Sequence, residues 1–355
     1  MPKVTFNNSN SLFFQSVKQS VEDYFNTNNI RKTGNWKLYV KTIVLIPLAV
    51  ALYLILLFVS YPAIVGILLS GLLGFVLAAI GFNVMHDACH GSYSRRKWVN
   101  DIMGLTSNAI GGNAYIWKVK HNIIHHTYTN VDGVDDDIAN YPLLRQCPTQ
   151  KRFAIHRYQH LYLFLLYALS SFAMVLAFDF VKYFSKKIHT TPLRPMKKSD
   201  HIVFWISKIL YLVFYVAIPV MLVGWMPWLF GFISLHIVMG LTLSIVFQLA
   251  HVVEQTSFET SGLSPVVIES EWAVHQVKTT ANFSAKSKII SWLVGGLNFQ
   301  IEHHLFPRIS HVHYAALSRV IRENCDKFNL SYNYYPTLLK ALRSHVSVMR
   351  QLGKK

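Results

Sequence analysis

Charged residues are scarce in this 355-residue sequence, and acidic residues are the scarcest of them. Asp, Glu, Lys and Arg together make up 14% of the chain, against about 25% in an average soluble domain. There are 17 acidic and 34 basic residues, which gives a formal net charge of +17. With 52% hydrophobic residues, this composition argues against a soluble globular protein and indicates a membrane protein whose positive charge faces anionic lipid headgroups.

Cysteine is also rare, which argues against an extracellular disulfide scaffold. The three cysteines, Cys89, Cys147 and Cys325, form no Cys-x-x-Cys pair, so a reducing, cytosol-facing environment is favoured. The sequence also lacks a Walker loop, a dinucleotide-binding fingerprint, a heme-binding module and internal repeats. Because these motifs are absent, the sequence gives no reason to expect nucleotide or heme chemistry.

Long apolar runs dominate what is present. A membrane-spanning helix needs about 20 predominantly apolar residues, and four runs reach about that length. Very short connections at Tyr61-Pro62 and Gly224-Trp225 join them into two helical hairpins. The predicted spans are residues 42–60, 62–82, 202–223 and 226–249.

The distribution of basic residues predicts the orientation of these spans. Lysines and arginines concentrate on one side of both hairpins, and such charge is retained in the cytoplasm. A fifth apolar run, residues 161–180, would separate the histidine clusters if it crossed the bilayer, so we predict that it lies in the cytoplasmic interface. Lys208, inside the third span, is expected to extend its amine back to that interface.

The predicted fold is therefore an all-α integral membrane protein with four transmembrane helices in two hairpins and a cytoplasmic helical cap. Both termini and the cap are expected on the cytoplasmic side. The predicted parts are an N-terminal segment, residues 1–41, and a membrane domain, residues 42–355, whose cap comprises residues 83–201 and 250–355.

Three histidine clusters lie in polar stretches beside these spans. Their members recur at i, i+3 or i+4, the spacing that puts side chains on one face of a helix. His126 lies about 100° further round its helix than His125, so that it can reach a second metal. The clustered residues are His86 and His90; His121, His125 and His126; and Gln300, His303 and His304.

The number of histidines indicates which metal they would hold. His251 follows the fourth span at the predicted depth of His86, which makes it an eighth candidate ligand. Eight imidazoles exceed what one tetrahedral zinc needs and are enough for two metals of higher coordination. Imidazole suits several metals, but zinc cannot change its oxidation state, whereas a non-heme iron pair can activate O₂. Carboxylates predicted to hydrogen-bond to the ligands are Asp87, Asp132, Asp135, Asp136, Asp137, Glu254 and Glu302.

Several stretches resemble the membrane fatty acid desaturases over most of the chain, from the first span to Leu352. The most specific piece is Leu-Asn-Phe-Gln-Ile-Glu-His-His-Leu-Phe-Pro at residues 297–307, and others lie at 81–90, 121–130, 272–276 and 279–283. The resemblance implies four transmembrane helices and three histidine boxes around a cytoplasmic diiron centre. It implies that the seven box histidines and His251 bind iron, with Gln300 at a further ligand position. With glutamine at this position, the third box resembles that of the front-end, Δ5- or Δ6-type desaturases.

The resemblance also implies the reaction and its partners. O₂ is the expected co-substrate for insertion of a cis double bond, Δ6-like, into an acyl-lipid or acyl-CoA chain. Residues 1–41 lack the His-Pro-Gly-Gly motif of a fused cytochrome b5 domain, so electrons are expected from a separate ferredoxin or cytochrome b5. Nucleic acid is not an expected partner. Candidates for docking the donor are Arg95, Arg96, Lys97, Lys118 and Lys120, and candidates for the wall of the acyl tunnel are Trp98, Tyr115 and Trp117.

Other functions remain open at this point. A diiron hydroxylase or a sphingolipid desaturase would use the same histidines, since hydroxylation differs only in the fate of the substrate radical. A zinc membrane hydrolase would need neither O₂ nor a reductant. A metal transporter should hold its ligands near the middle of the bilayer, whereas these clusters lie at span ends.

Overall fold

The computed structural model describes residues 4–139, 142–261 and 266–354, and most of them are helical. In chain order the α-helices are α1 (Leu12–Thr27), α2 (Trp36–Phe58), α3 (Ala63–Ile80), α4 (His86–His90), α5 (Lys97–Gly104), α6 (Thr106–Ala109), α7 (Ala114–Lys118), α8 (His126–Tyr128), α9 (Gln159–Ala173), α10 (Asp179–Ser185), α11 (Lys198–Leu212), α12 (Ile218–Val223), α13 (Trp225–His251), α14 (Trp272–Thr279), α15 (Lys288–Leu293), α16 (Gln300–Leu305), α17 (Tyr314–Lys327) and α18 (Leu338–Lys354). Segments of π-helix lie at Gly81–Met85, Val119–His125, Met174–Phe178 and Val213–Ala217. Short 3₁₀ segments lie at Asp136–Ile138, Ala154–Tyr158 and His311–His313.

The described residues form four pairs of very short strands, of which three tie distant loops together and one is a local hairpin. The pairs are β1 (Val4–Phe6) with β6 (Val266–Ile268), β2 (Val131–Asp132) with β5 (Glu259–Thr260), β3 (Lys187–Ile188) with β4 (Thr191–Pro192), and β7 (Asn282–Phe283) with β8 (Tyr334–Tyr335). The β3–β4 pair is antiparallel and the other three are parallel. The all-α prediction missed them because strands of two or three residues leave no alternating pattern to detect.

Five continuous helices among the described residues are long and apolar enough to cross a membrane. They are Trp36–Phe58, Ala63–His90, Ala154–Ser185, Lys198–Val223 and Trp225–His251. Four of them contain most of the predicted spans. Two of these helices extend as far as predicted metal ligands, because one ends at His90 and another at His251. The fifth contains the ambiguous run, residues 161–180. Large apolar side chains are exposed on these helices, as at Ile43 (69%) and Met221 (82%), which is the surface expected toward lipid tails.

Small residues allow the central helices to approach each other closely. A Cβ atom on Gly74 of α3 would lie 2.1 Å from the carbonyl oxygen of Leu235 in α13. Gly240 lies on α13, and a Cβ atom added to it would lie 2.7 Å from the carbonyl oxygen of Ala168 in α9. Such close backbone contact between apolar helices depends on small residues. The α3–α13 contact is what brings the ends that carry His86 and His251 together.

The helix that contains α9 and α10 contacts the same loop at both of its ends. Near its start, Gln159 donates from Nε2 to the carbonyl oxygen of Arg145 (3.0 Å). Near its end, Lys182 donates from Nζ to Asp136 Oδ2 (2.6 Å). Asp136 and Arg145 both belong to the loop that follows the second histidine cluster, and Gln150 closes this loop by donating to the carbonyl oxygen of Ile138 (2.5 Å).

Two lysines at span ends are buried rather than extended to water. Lys208 Nζ donates to Asp179 Oδ2 (2.8 Å) and to the carbonyl oxygen of Gly111 (2.6 Å). The expectation that Lys208 reaches the interface is therefore wrong, because these partners satisfy its charge inside the protein. Lys41, which precedes the predicted first span, lies within α2, and its Nζ contacts Asn83 Oδ1 (2.8 Å).

The N-terminal segment packs onto the part of the chain that carries the third histidine cluster. Phe13, Val17 and Val21 of α1 are buried in one hydrophobic cluster with Leu317 and Ile321 of α17. The same cluster includes Ile301 and Leu305 of α16. Helix α1 therefore helps to fix the position of α16.

Candidate metal centre

Eight histidines from four separate stretches of chain meet in one buried cluster. Each of them is at most 8% exposed. In addition to a group of His121, His125 and Asp137, three overlapping groups made of histidines alone have ligand atoms within 4.8 Å of one another. The groups are His86, His90, His121 and His303; His125, His251 and His304; and His126, His303 and His304. All eight histidines predicted as metal ligands are thus brought together.

Local helix geometry differs from the expected α-helix within the second cluster and immediately before the first. A π-helix, Gly81–Met85, leads directly into His86, and a second, Val119–His125, contains most of the second cluster. Such π segments occur frequently at functional sites. His126 follows the second π-helix at the start of α8. Its Nε2 lies 3.2 Å from His121 Nε2, and it groups with His303 and His304, whereas His125 groups with His251 and His304. That His126 reaches a second metal stays a prediction.

Unpartnered ring nitrogens are the strongest sign of a metal site. Buried polar atoms are nearly always hydrogen-bonded, yet seven nitrogens of this cluster have no partner among the residues that the structure describes. They are His86 Nδ1, His90 Nε2, His125 Nε2, His126 Nδ1, His251 Nε2, His303 Nε2 and His304 Nε2. His121 Nε2 lies 3.2 Å from His86 Nε2, near the roughly 3 Å that separates two nitrogens bound at right angles to one metal. The residues present therefore fit bound metal.

The opposite ring nitrogens of four cluster histidines are held by other groups. His303 Nδ1 lies 3.0 Å from the Tyr314 hydroxyl, and His304 Nδ1 lies 2.9 Å from Gln276 Oε1. His251 Nδ1 lies 3.3 Å from the carbonyl oxygen of Thr279. His125 Nδ1 lies 3.1 Å from Asp135 Oδ2. Contacts of this kind orient a ligating imidazole and leave Nε2 free for the metal.

Burial keeps several of these histidines neutral, which is the form that binds metal. Burial, reinforced by the neighbouring histidines, holds the pKa of His121, His126, His303 and His304 well below the usual value. His125 behaves differently. Burial alone would lower its pKa, but the carboxylates of Asp135 and Asp137 outweigh burial and raise it. This edge of the site carries negative charge that would offset the charge of bound metal.

Five of the seven predicted carboxylate partners make their contacts elsewhere. Asp135 and Asp137 lie within 3.2 Å of His125. The other five contact different groups: Asp87 accepts from Ser310, Asp132 from Gln150, Asp136 from Lys182 and Glu302 from Asn282 and Tyr332, and the backbone N–H of Glu254 donates to Ser344. Sequence distance does not reveal which carboxylate meets which imidazole, because the loops between them fold back on themselves.

Glu302 supports the third cluster from behind. Its carboxylate accepts from Asn282 Nδ2 (2.7 Å) and from the Tyr332 hydroxyl (2.6 Å). Burial raises the pKa of Glu302 to about 7, against the opposing effect of these two hydrogen bonds. Asn282 also accepts from the backbone N–H of Ile301 (3.0 Å). Strand β7 is thus tied to α16, which carries His303.

Three residues that hold the histidines were missed as site residues. They are Gln276, Thr279 and Tyr314. The first two lie in stretches that resemble the desaturases, and this resemblance could have identified them as site residues. Tyr314 had no such signal, because nothing in its sequence neighbourhood distinguishes it from an ordinary helix residue.

Gln300 begins α16, one turn before His303 and His304, and is buried. Its Nε2 donates to the carbonyl oxygen of Leu297 (2.7 Å). The amide nitrogen is therefore engaged with the backbone, and the role of Gln300 as a ligand stays a prediction.

An apolar cavity of about 250 Å³ reaches the histidine cluster. His86, His121 and His251 line one side of it, and Phe82, Trp117, Phe247 and Leu243 line its apolar walls. Trp117 stacks on the ring of His121 at 4.3 Å between ring centroids, as expected for a tunnel wall. Trp98 is 58% exposed and the Tyr115 hydroxyl donates to the carbonyl oxygen of Arg194 (2.9 Å), so these two candidates do not line this cavity.

An apolar helical bundle with eight converging imidazoles beside an apolar cavity is the arrangement of a membrane protein with a multi-histidine site that could hold metal. The profile of the fatty acid desaturase family matches residues 59–336. The chain belongs to that family, and it is an integral membrane oxidoreductase, a fatty acyl desaturase.

Relatives with known names match nearly the whole chain. It is 35% identical to an sn-1 linoleoyl-lipid 6-desaturase of Arthrospira platensis, over 99% of this chain and 95% of the relative. It is 33% identical to a protein of the same name from Synechocystis, over 96% of both chains. It is also 33% identical to an acyl-lipid (8-3)-desaturase of Physcomitrium patens, over 97% of this chain and 72% of the relative.

Proposed function

We propose that this protein is a front-end desaturase that inserts a cis double bond near the carboxyl end of a lipid-bound acyl chain, at the Δ6 position. The observation that carries this proposal is the set of unpartnered histidine nitrogens beside the apolar cavity. The names of the two bacterial relatives support an acyl chain held on a lipid and the sixth position.

The metal in this proposal is a pair of non-heme irons. His86, His90, His121 and His303 would hold one iron, and His125, His251 and His304 the other, with His126 between them. Gln300 remains a predicted further ligand. When bound, the irons activate O₂ for removal of hydrogen from an unactivated C–H bond, which side-chain acid–base chemistry cannot do.

The protein contributes position and the exclusion of water. Phe82, Trp117 and Phe247 form walls that leave room for an extended acyl chain beside the histidines. Holding the reacting carbons at a fixed place accounts for much of an enzyme's effect on rate. The same walls keep water away from the reactive site.

Electrons in this proposal come from a ferredoxin or a cytochrome b5. Three of the basic residues expected to dock the donor are already paired, because Lys97 and Lys118 face Asp101 and Lys120 faces Asp137. Arg95 and Arg96 are exposed. We therefore assign donor docking to these two arginines, whose charge complements an acidic partner.

The four-span topology with a cytoplasmic cap is part of the same proposal. Its support is that the helix Ala154–Ser185 contacts one loop at both ends, as expected for a helix that does not cross the bilayer.

Single cysteines at position 96 and position 286, introduced as Arg96→Cys and Lys286→Cys, test this topology. Both positions are exposed and the three native cysteines are buried, so the background of labelling is low. We expect a membrane-impermeant maleimide to reach both cysteines from the cytoplasmic side only. Labelling from opposite sides would mean that Ala154–Ser185 spans the membrane, because one more crossing would then separate the two positions.

Expression in a host that lacks this activity, supplied with linoleate, tests the reaction. We expect a new cis double bond at Δ6, located by mass spectrometry of the derivatised product. A His251→Ala variant serves as the inactive control, since it removes one of the converging ligands. A hydroxylated product would contradict the proposal, and so would full activity in purified protein that contains zinc and no iron.

A further inference from the structure

A cluster of four charged side chains closes one end of the acyl cavity. Lys120, Lys182 and Asp137 line the cavity directly. Asp136 joins the two lysines, since its Oδ2 lies 2.6 Å from Lys182 Nζ and 3.7 Å from Lys120 Nζ. Lys120 also pairs with Asp137. Lys120 and Asp137 keep 27% and 24% of their side chains exposed, so this end of the cavity lies near the surface.

This charged cluster adjoins the metal ligands. Asp137 Oδ2 lies 3.2 Å from His125 Nδ1, so one carboxylate contacts both a lysine and a ligand. Lys120 is the neighbour of His121 in the chain. A group bound at the lysines would therefore lie close to the metal pair, and few carbon–carbon bonds could separate it from the reacting carbons.

The other charged and amide side chains in the lining of the cavity already have partners. Asp179 accepts from Lys208 Nζ (2.8 Å), Gln248 Oε1 from Gln146 Nε2 (3.0 Å), and Asn113 Oδ1 from the backbone N–H of Ile116 (3.0 Å).

Ile110, Met174 and Leu243 continue the apolar lining of the cavity. The hydroxyl groups farther along are already used, since Ser171 donates to the carbonyl oxygen of His236 (2.8 Å) and Ser170 to that of Tyr167 (2.7 Å). An acyl chain would thus lie with its polar end at the lysines and its methyl end between α9 and α13.

The charge balance of the cluster indicates which polar group fits. Two lysines face two aspartates, so their charges largely cancel. A neutral cluster attracts a polyanion such as the coenzyme A head weakly, but it can donate hydrogen bonds to an uncharged oxygen. The ammonium group of Lys182 has three N–H donors, of which Asp136 engages one.

We propose that Lys120 and Lys182 bind the ester carbonyl of a lipid-bound acyl chain and so set how many carbons separate that ester from the metal pair. This inference rests on the proposed function and deepens it, because it assigns the residues that measure the position of the double bond. The two lysines are positioning residues, since they act on the part of the substrate that does not react.

A binding cycle between protein and ligand tests the proposed hydrogen bond. The holoenzyme, kept without reductant and O₂, is titrated with dilinoleoyl phosphatidylcholine and with its ether-linked analogue, which lacks the ester carbonyl. We expect the wild type to bind the ester about ten-fold more tightly, as for a hydrogen bond from a charged donor. Lys182→Met and Lys120→Met should each reduce this preference, and Lys182→Arg should keep it.

Lys187→Met is the matched control, because Lys187 is exposed, lies close in sequence to Lys182 and does not line the cavity. It should keep the wild-type preference for the ester. An unchanged preference in both methionine variants would overturn the proposal, and so would tighter binding of linoleoyl-CoA than of the lipid. Two variants are used so that a folding defect in one leaves the test intact.

Steady-state kinetics and product analysis give a second measurement. Its result would not change if Lys182 had only a structural role. We expect Lys182→Met to raise KM about ten-fold with little change in kcat, and to place part of the new double bonds at neighbouring carbons. A single wild-type product with unchanged KM would contradict the assignment. The binding cycle needs no turnover, so an ester preference in a protein that yields hydroxylated product would support this inference while refuting the proposed function.

Discussion

Replacing His303 with alanine should abolish desaturation and release iron. His303 belongs to two of the three ligand groups, so its loss weakens both halves of the proposed metal pair. Removing a residue that merely orients a ligand costs about 10- to 100-fold in affinity or activity, and loss of a shared ligand should cost at least that much. We expect activity to fall to background and bound iron to fall by more than half, measured by product analysis and by metal analysis of the purified protein.

The matched control for His303→Ala is His201→Ala. His201 is exposed and its Nδ1 lies 2.8 Å from the Tyr183 hydroxyl, away from the histidine cluster, so iron and activity should stay at the wild-type level. Both variants should insert in the membrane with similar yield. Full turnover or full iron content in His303→Ala would remove this residue from the site.

Replacing Gly74 with alanine should destabilise the whole protein. The added Cβ atom would lie 2.1 Å from the backbone oxygen of Leu235, and no side-chain rotation relieves a contact with backbone. Overpacking typically lowers the free energy of unfolding by about 1–3 kcal/mol and occasionally more. The higher helix propensity of alanine relative to glycine raises it by about 1 kcal/mol. We expect a net loss of about 1–2 kcal/mol and, because the entropy of unfolding grows with chain length, a Tm lower by about 1–3 °C. Iron should be lost as well, because α3 and α13 carry His86 and His251 toward each other.

Gly71→Ala provides the comparison on the same helix. Its added Cβ atom would lie 3.1 Å from Ser234 Oγ and 3.2 Å from Val238 Cγ2, which are side-chain atoms that can shift. The gain in helix propensity is the same, so Tm should change little. Equal Tm values for the two alanine variants would show that the α3–α13 contact is less tight than 2.1 Å implies.

Sequence reasoning was most successful where the pattern is local. The apolar runs predicted four long helices, and the structure has helices at each of them, with bounds that differ by a few residues. The histidine spacing predicted that these side chains act together, and all eight meet. Both patterns are properties of single helices, so residues close in sequence are enough to define them.

Sequence reasoning failed where the outcome depends on contacts between distant segments. The carboxylates that touch the site are Asp135 and Asp137, and nothing local separates them from Asp132 or Glu254. The π-helix at Val119–His125 was not predicted either, because its i→i+5 hydrogen bonds leave no signature in the spacing of the histidines.

The sequence by itself determined the chemistry available to this protein: apolar helices for a bilayer and enough imidazoles for two metals. The tertiary structure alone decided how these groups are arranged, because the position of each ligand depends on side chains from other segments of the chain. Tyr314 and Gln276 select the nitrogen that each imidazole leaves free, and Gly74 sets how closely two helices approach. Such contacts join segments with no local pattern in common, so they exist only once the chain has folded.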